Sequence, residues 1–463
     1  MKPLVQWFDR RLGFSKAVLP IIQHPVPKNV NWWYVFGSAT LVAFMVQIVT
    51  GVALAFSYVP APSSAYESLQ FITDQALLGG IVRGIHYWGA SAMVVLIFVH
   101  MCRTYLMGSF KFPRELNWLT GVLLFGLTLG MAFTGQLLRW DQDAYWAVAV
   151  GANMAGRVPF LGNILAQVLI AGQTVGGATL TRFYATHVFL FPALMFGLIG
   201  IHLYLVVHHG ISEPPGRGDV VDPTTYQERY EELMHKEGIP FWPDAAWRDV
   251  IFALAVGVVV LALAIVLGPA ALGAKADPTN IQADPRPDWY FLWFFALLAL
   301  MPPSVETLVI IGLPLLAVVA LLALPLFGPA GERSPFRRPW AVGAVGLTTL
   351  SVATLIWYGS TSPWSPNFSP APLPNRITQG LTGRPARGAQ LFESESCSKC
   401  HTIAGTGGQR GPDLTTVGSR LSPDELTSRI ANGGNNMPAF GATLQSDELD
   451  ALVAFLAQLK SDS

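Results

Sequence analysis

The sequence predicts an all-α membrane protein: a seven-span transmembrane helical bundle followed by a small all-α soluble domain. Three observations carry this. Seven apolar stretches are each long enough to cross a bilayer, which takes about 20 helical residues. Of the 463 residues, 52% are hydrophobic and only 13% charged, where soluble domains carry roughly a quarter. Beyond residue 360 the composition turns to proline, serine and glycine and then resumes globular patterning. The 29 basic and 29 acidic residues cancel, so the chain lacks the basic footprint that nucleic acid binding rests on.

The spans fall at 32–58, 80–106, 116–137, 180–207, 248–270, 305–327 and 338–359. The charged stretch ahead of the first lacks the short apolar core and small-residue cleavage site of a signal peptide. Lysine and arginine gather in every second connection. Lys2, Arg10, Arg11, Lys16 and Lys28 precede the first span, Arg103, Lys111 and Arg114 follow the second, and Arg333, Arg337 and Arg338 follow the sixth. The alternate loops hold only Arg139, Arg157, Lys275 and Arg286. The positive-inside rule then puts the N-terminus in the cytoplasm and everything after Tyr358 on the periplasmic side of a bacterial inner membrane. The run Ser369-Pro-Ala-Pro-Leu-Pro374 marks a linker. The expected organisation is a four-span part over 1–215, a three-span part over 216–360, a Pro-rich linker over 361–386 and a soluble domain over 387–463.

Cys397-Ser-Lys-Cys400-His401 is a C-x-x-C-H motif, the attachment signature of c-type haem. Two thiols at this spacing reach the two vinyl groups, and the adjacent histidine faces the iron. A zinc half-site would need further Cys or His, and none follows His401; a redox dithiol would need a βαβ pattern. Met437 is the one methionine after His401 and the candidate sixth ligand, giving the His/Met ligation that raises the potential. Its asparagine and glycine neighbours indicate a loop. The segment Arg387–Glu393 and the spacing of Leu449, Leu452, Val453 and Leu456 predict helices at the two ends of this domain, which resembles a class I cytochrome c. The pair Gly411-Pro412 fits the turn beside the haem in that family.

Four of the nine histidines lie inside spans: His86 and His100 in the second, His187 and His202 in the fourth. Any one alone reads best as a packing residue, but ionisable groups at membrane depth come as two matched pairs here. Fourteen residues separate the first pair and fifteen the second, about 21 and 22 Å of helix. The two spans run in the same direction, so His86 lies level with His187 and His100 with His202. That makes two stacked bis-histidine sites, each able to grip a haem; metal-ion transport would not explain the matched heights. Gly37 and Gly51 in the first span, and Gly121 and Gly135 in the third, are also fourteen apart. Small residues allow close approach, which a flat macrocycle needs. Arg83 and Arg182 precede the outer histidines and are placed to pair with propionates.

These glycines and histidines resemble the cytochrome b of quinol–cytochrome c reductases over residues 15–360. The fifteen-residue interval, Trp140-Asp141-Gln142 and Thr179-Leu-Thr-Arg-Phe183 resemble the cytochrome b6 branch, and Phe336-Arg-Arg-Pro339 resembles its companion subunit IV, here continuous with the first part. The resemblance implies two b haems, one covalent c haem and a quinol or quinone substrate. It further implies a Rieske iron–sulfur partner, other complex subunits, a downstream electron acceptor and a homodimeric complex in membrane lipid. Pro287-Asp288-Trp289-Tyr290 matches the family's Pro-Glu-Trp-Tyr quinol motif with Asp in place of Glu, so Asp288 is the candidate proton acceptor. Read locally, Asp288 is better taken as a helix cap before an aromatic run; the family resemblance reverses that reading. Tyr145 and Trp146 are candidate walls of that pocket. Val35 stands where the branch carries a cysteine for an extra haem, and Cys102 reads as a small buried residue. His208 and His209 replace the branch's basic residues after the fourth span; either they serve an inner-face quinone, His208 first, or they are interfacial histidines in water. A proton-relaying transporter and a structural tether for the cytochrome are the competing classes.

Overall fold

The computed structural model describes residues 2–13, 15, 18–19, 22–277, 286–361, 371–408, 411–433, 437, 439–441 and 443–460. It is mostly helical, and among the described residues seven helices are long and apolar enough to cross a membrane: Phe36–Ala55, Gly79–Leu106, Glu115–Leu137, Gly177–His209, Trp247–Val266, Val305–Phe327 and Pro339–Thr361. The first begins later than its apolar stretch because Asn31 caps a separate 3₁₀ turn, Trp32–Tyr34, accepting from the Trp33 N–H at 3.0 Å. The helix Trp289–Leu300 is apolar but too short to span.

Span four departs from the regular helix the sequence suggests. Thr186–Leu190 form a π-helical turn, the Phe191 N–H reaching Thr186 O. Pro192 lies next in sequence. It has no N–H to offer the carbonyl four residues earlier, and its ring crowds it, which favours the wider turn. The turn takes up one extra residue, so the fifteen-residue interval on this span matches the fourteen on span two.

The chain divides into two compact units. One comprises Met1–Gln136, Phe183–Leu272 and Leu308–Trp357. Within it Ala39, Ala43 and Phe44 pack with Met93, Leu96 and Met195 from spans two and four. Span five lies tightly on span two: a Cβ on Gly84 would stand 2.9 Å from that of Ala264, and Trp88 Nε1 donates to Gly268 O at 2.8 Å.

Several cations credited to basic loops are buried structural groups. Arg333 is 1% exposed and donates to Glu213 Oε1 at 2.6 Å, Glu213 O at 2.6 Å and Asp219 Oδ2 at 3.2 Å. Burial works against ionisation of Glu213, yet Arg333 and Arg114 hold its carboxyl below the usual range. Lys111 donates to Gly328 O at 2.9 Å and to Ala330 O, while burial lowers its ammonium to about 8. Removing one partner from a buried ion pair costs about 3–5 kcal/mol, because the other charge stays behind. Arg333→Ala is therefore expected to lower the thermal midpoint of the purified protein well beyond Arg387→Ala, whose partners Asp447 and Glu448 sit at an exposed bridge.

The other unit comprises Leu137–Arg182, Gly273–Thr307 and Tyr358–Ser463. Its helix Gln142–Gly156 is capped by Asp141, fully buried, whose Oδ1 accepts from Ala144 N at 2.9 Å and Oδ2 from Gly273 N at 3.3 Å. Backbone bonds Gln142 N to Ala274 O (2.9 Å) and Ala276 N to Trp140 O (3.1 Å) fasten the segment after residue 272 to this helix. In the C-terminal part, helices Gly383–Ser394 and Ser446–Leu456 pack through Phe392 and Phe455. They match the two helices read from the sequence. The expected linker 361–386 is partly folded: Leu373 is buried in this core, Ile377 and Leu381 pack against it, and Leu373 N donates to Glu393 Oε1 at 2.6 Å. Of the proline run, Ser369 and Pro370 lie outside the described residues.

Candidate haem and quinone sites

The rings of His86 and His187 stand 6.3 Å apart between centroids, at 74°. Two imidazoles on opposite sides of a metal, each about 2 Å from it, have centroids roughly 6 Å apart, so the pair stands at ligating distance. Its hydrogen bonds fix the tautomer. His187 Nδ1 lies 3.0 Å from Met131 O; a carbonyl only accepts, so Nδ1 carries the proton and Nε2 keeps its lone pair. The Thr50 hydroxyl gives its proton to Val46 O at 2.7 Å, leaving its oxygen to accept from His86 Nδ1 at 2.9 Å. Thr120 does the same, donating to Leu116 O and facing His202 Nδ1 at 2.9 Å. Thr134 donates to Gly130 O and faces His187 Nδ1 at 3.2 Å. A neutral imidazole held by its Nδ1–H presents Nε2 to a metal. These residues fit haem iron.

Each predicted glycine faces one of the four histidines. A Cβ on Gly135 would lie 2.7 Å from His187 Cε1, on Gly37 3.0 Å from His100 Cε1, on Gly51 3.2 Å from His86 Cε1 and on Gly121 3.6 Å from His202 Cε1. Each glycine leaves room for the imidazole ring that faces it. Gly135→Ala is expected to displace His187 and deplete one b haem, whereas Gly121→Ala, an ordinary contact, leaves both. Haem content of the two purified variants checks this.

Arg83 is buried and donates to Thr73 Oγ1 at 2.9 Å and Ala270 O at 2.8 Å; Arg182 is exposed and donates to Val168 O. Arg103, counted in the sequence with the loop cations, lies within span two, one turn after His100. It is 8% exposed, stacks over Tyr34 at 3.5 Å, and its Nε and Nη2 find no partner among the described residues. An unpaired buried guanidinium is costly without an anion, and one haem propionate would supply it. Asp249 in span five was also missed. It accepts from Ser38 Oγ, beside Gly37. The signal for both was a charge inside an apolar span. His208 is exposed and stacked on Tyr204 at 5.7 Å, with His209 4.7 Å from it. Val35 is buried.

In the C-terminal domain Cys397–Lys399 form a 3₁₀ turn after Ser396, which has φ +63°. His401 Nδ1 lies 2.9 Å from Pro412 O, again protonating Nδ1. Only glycine fits at 411, where a Cβ would stand 2.5 Å from the His401 ring. Burial pushes the Cys397 thiol up to about 12, away from the thiolate character of a reactive dithiol. Met437 packs against the domain core; Asn436 and Pro438 lie outside the described residues.

Asp288 precedes the helix Trp289–Leu300 with extended backbone and makes no side-chain cap. Its Oδ2 accepts from the Tyr290 hydroxyl at 2.7 Å. Asp288 and Pro287 are half-buried and Trp289 is exposed at 36%. Tyr145 is buried between Trp140 and Trp146, and burial raises its hydroxyl to about 12.

Fold and sites together define a multi-pass membrane protein of electron transport. The sequence family described as "cytochrome b/b6/petB" matches residues 21–210, "cytochrome b(C-terminal)/b6/petD" residues 275–371, and "cytochrome c oxidase, cbb3-type, subunit III" residues 383–456. A cytochrome b6 of Heliobacterium mobile is 43% identical over 212 residues, covering 45% of this chain and all of that one. A cytochrome b of Allochromatium vinosum is 33% identical over 369 residues, covering 77% of this chain and 87% of that one. The menaquinol:cytochrome c reductase cytochrome b subunit of Bacillus subtilis is 40% identical over 223 residues, covering 46% and 99%. A solved structure described as a hyperthermophilic respiratory Complex III superposes with a TM-score of 0.66 at 26% identity, covering 85% of this chain and 95% of that one. The chain belongs to the cytochrome b/b6 family and ends in a cytochrome c domain, so haem b and haem c are its implied cofactors.

Proposed function

We propose that the chain is the haem-bearing core subunit of a bc-type quinol–cytochrome c oxidoreductase. The observation that carries this is the His86–His187 pair, 6.3 Å apart, with both Nδ1 protons committed to protein oxygens. Three haems would be held by His86/His187, His100/His202 and Cys397/Cys400/His401/Met437, and would supply one-electron redox steps when bound. Quinol reaching the outer face near Asp288 is oxidised to quinone and releases two electrons and two protons. Asp288 takes a proton from a quinol hydroxyl, and Tyr290 orients the carboxylate through its 2.7 Å bond. With those groups bound, His86/His187 and then His100/His202 would mark the route of one electron to a quinone at the inner face, and the other would pass through a Rieske partner to the centre held by His401. Asp249 holds a proton for the inner quinone, with His208 and His209 nearer the surface. Arg83 and Arg182 would pair with outer propionates and Arg103 with an inner one.

In this reading the N-terminus is cytoplasmic and the cytochrome c domain periplasmic. The tether keeps that domain at high effective concentration near its donor. The experiment is quinol addition to the reconstituted complex. Reduction of b haem that responds to quinone-site inhibitors supports the reading, and c haem reduction alone overturns it in favour of a tethered cytochrome.

A further inference from the structure

The holding of the histidines follows a repeated pattern. In span one Gln47, Thr50 and Gly51 all address His86. With its amide turned to match donor with acceptor, Gln47 donates to His86 O at 2.9 Å and accepts from Ala90 N at 3.2 Å. It thus joins a rung of span two's own ladder, in a notch that any side chain on Gly89 would fill. Thr50 then takes the ring Nδ1–H, and Gly51 leaves the ring its space. In span three Asn117, Thr120 and Gly121 repeat the spacing toward His202, the Asn117 amide lying 3.5 Å from His202 O. Met131, Thr134 and Gly135 repeat it toward His187, a backbone carbonyl replacing the amide.

The fourth member breaks the pattern. Gly37 faces His100, but the residue before it is Phe36, whose ring lies against Phe252 at 5.2 Å. Phenylalanine has no oxygen to accept a proton. Among the described residues no group hydrogen-bonds the His100 ring; only its backbone carbonyl is engaged, by Thr104. The outer pair therefore has both Nδ1–H groups bonded and the inner pair only one.

We propose that Phe36, standing where the other three sites carry threonine, leaves His100 without a hydroxyl partner and so sets the inner haem at a higher potential than the outer one. The proposal rests on the bis-histidine reading above. A hydrogen bond from Nδ1–H raises the basicity of the imidazole. A more basic axial ligand favours ferric over ferrous iron and lowers the potential, as other outer-shell hydrogen bonds do. Two such bonds outside and one inside order the pair so that an electron moving inward runs downhill. Thr50, Thr120, Thr134 and Phe36 are positioning residues that act through the histidines.

The test is potentiometric titration of the b-haem absorbance in the whole purified complex. Phe36→Thr should shift the higher-potential component downward and narrow the gap, without removing any existing hydrogen bond. Thr50→Val should shift the lower-potential component upward, and Thr50→Ser should return it to the wild-type position. Midpoints that stay in place with two b haems present overturn the proposal while leaving the bis-histidine reading intact. A wild-type complex with fewer than two b haems overturns that reading itself.

Discussion

Replacing His187 with leucine is expected to remove the outer b haem, halve the b-to-c haem ratio and stop quinol-driven electron flow to the inner face. Leucine is apolar and of similar bulk, so it fills the site with little strain, while the iron loses one of the two imidazoles that hold it. His86 would keep its bond to Thr50 but face no second ligand across the 6.3 Å interval. The C-x-x-C-H motif lies in another compact unit, so the c haem content should be unaffected. Pyridine haemochrome spectra of the variant measure both values at once. His208→Leu is the control: that side chain is exposed and stacked on Tyr204, and both b haems should remain.

The second large effect is at the quinol motif. Asp288→Asn keeps the size of the side chain and its hydrogen-bonding reach but abolishes its capacity to take up a proton. General base catalysis contributes about 10²–10⁴-fold, so quinol oxidation should fall by about that factor, with haem content and spectra unchanged. Asp288→Glu supplies the family's own residue and should preserve activity. Tyr290→Phe removes the 2.7 Å bond that orients the carboxylate, and its loss should be smaller than that of Asp288→Asn. Stopped-flow reduction of the b haems by quinol separates the three variants.

Much of this was legible in the sequence because the bilayer imposes strong constraints. Seven apolar stretches became seven helices, His86 came to face His187 and each of the four glycines came to face a histidine, because helix geometry converts sequence separation directly into height. The C-x-x-C-H motif and the two flanking helices of its domain were legible for the same local reason. Other features depend on what meets across the fold. The π-helical turn at Thr186–Leu190 is invisible to a regular-helix count, although Pro192 marks where it falls. Arg103 reads as a loop cation in sequence because its burial against Tyr34 is a tertiary fact. Arg333 and Lys111 look like orientation signals in sequence and prove to be buried structural donors. The threonine before three of the four glycines was readable as a repeat. Its meaning required knowing that each hydroxyl proton is already committed to its own helix, which leaves the oxygen to fix a histidine.

The most direct measurement is the haem stoichiometry of the purified complex, by alkaline pyridine spectra with its subunits identified. Two b haems for each c haem, with one b haem lost in each of the His187 and His202 variants, is the predicted result. A c haem with no b haem would contradict the account and return the four membrane histidines to helix packing or proton relay.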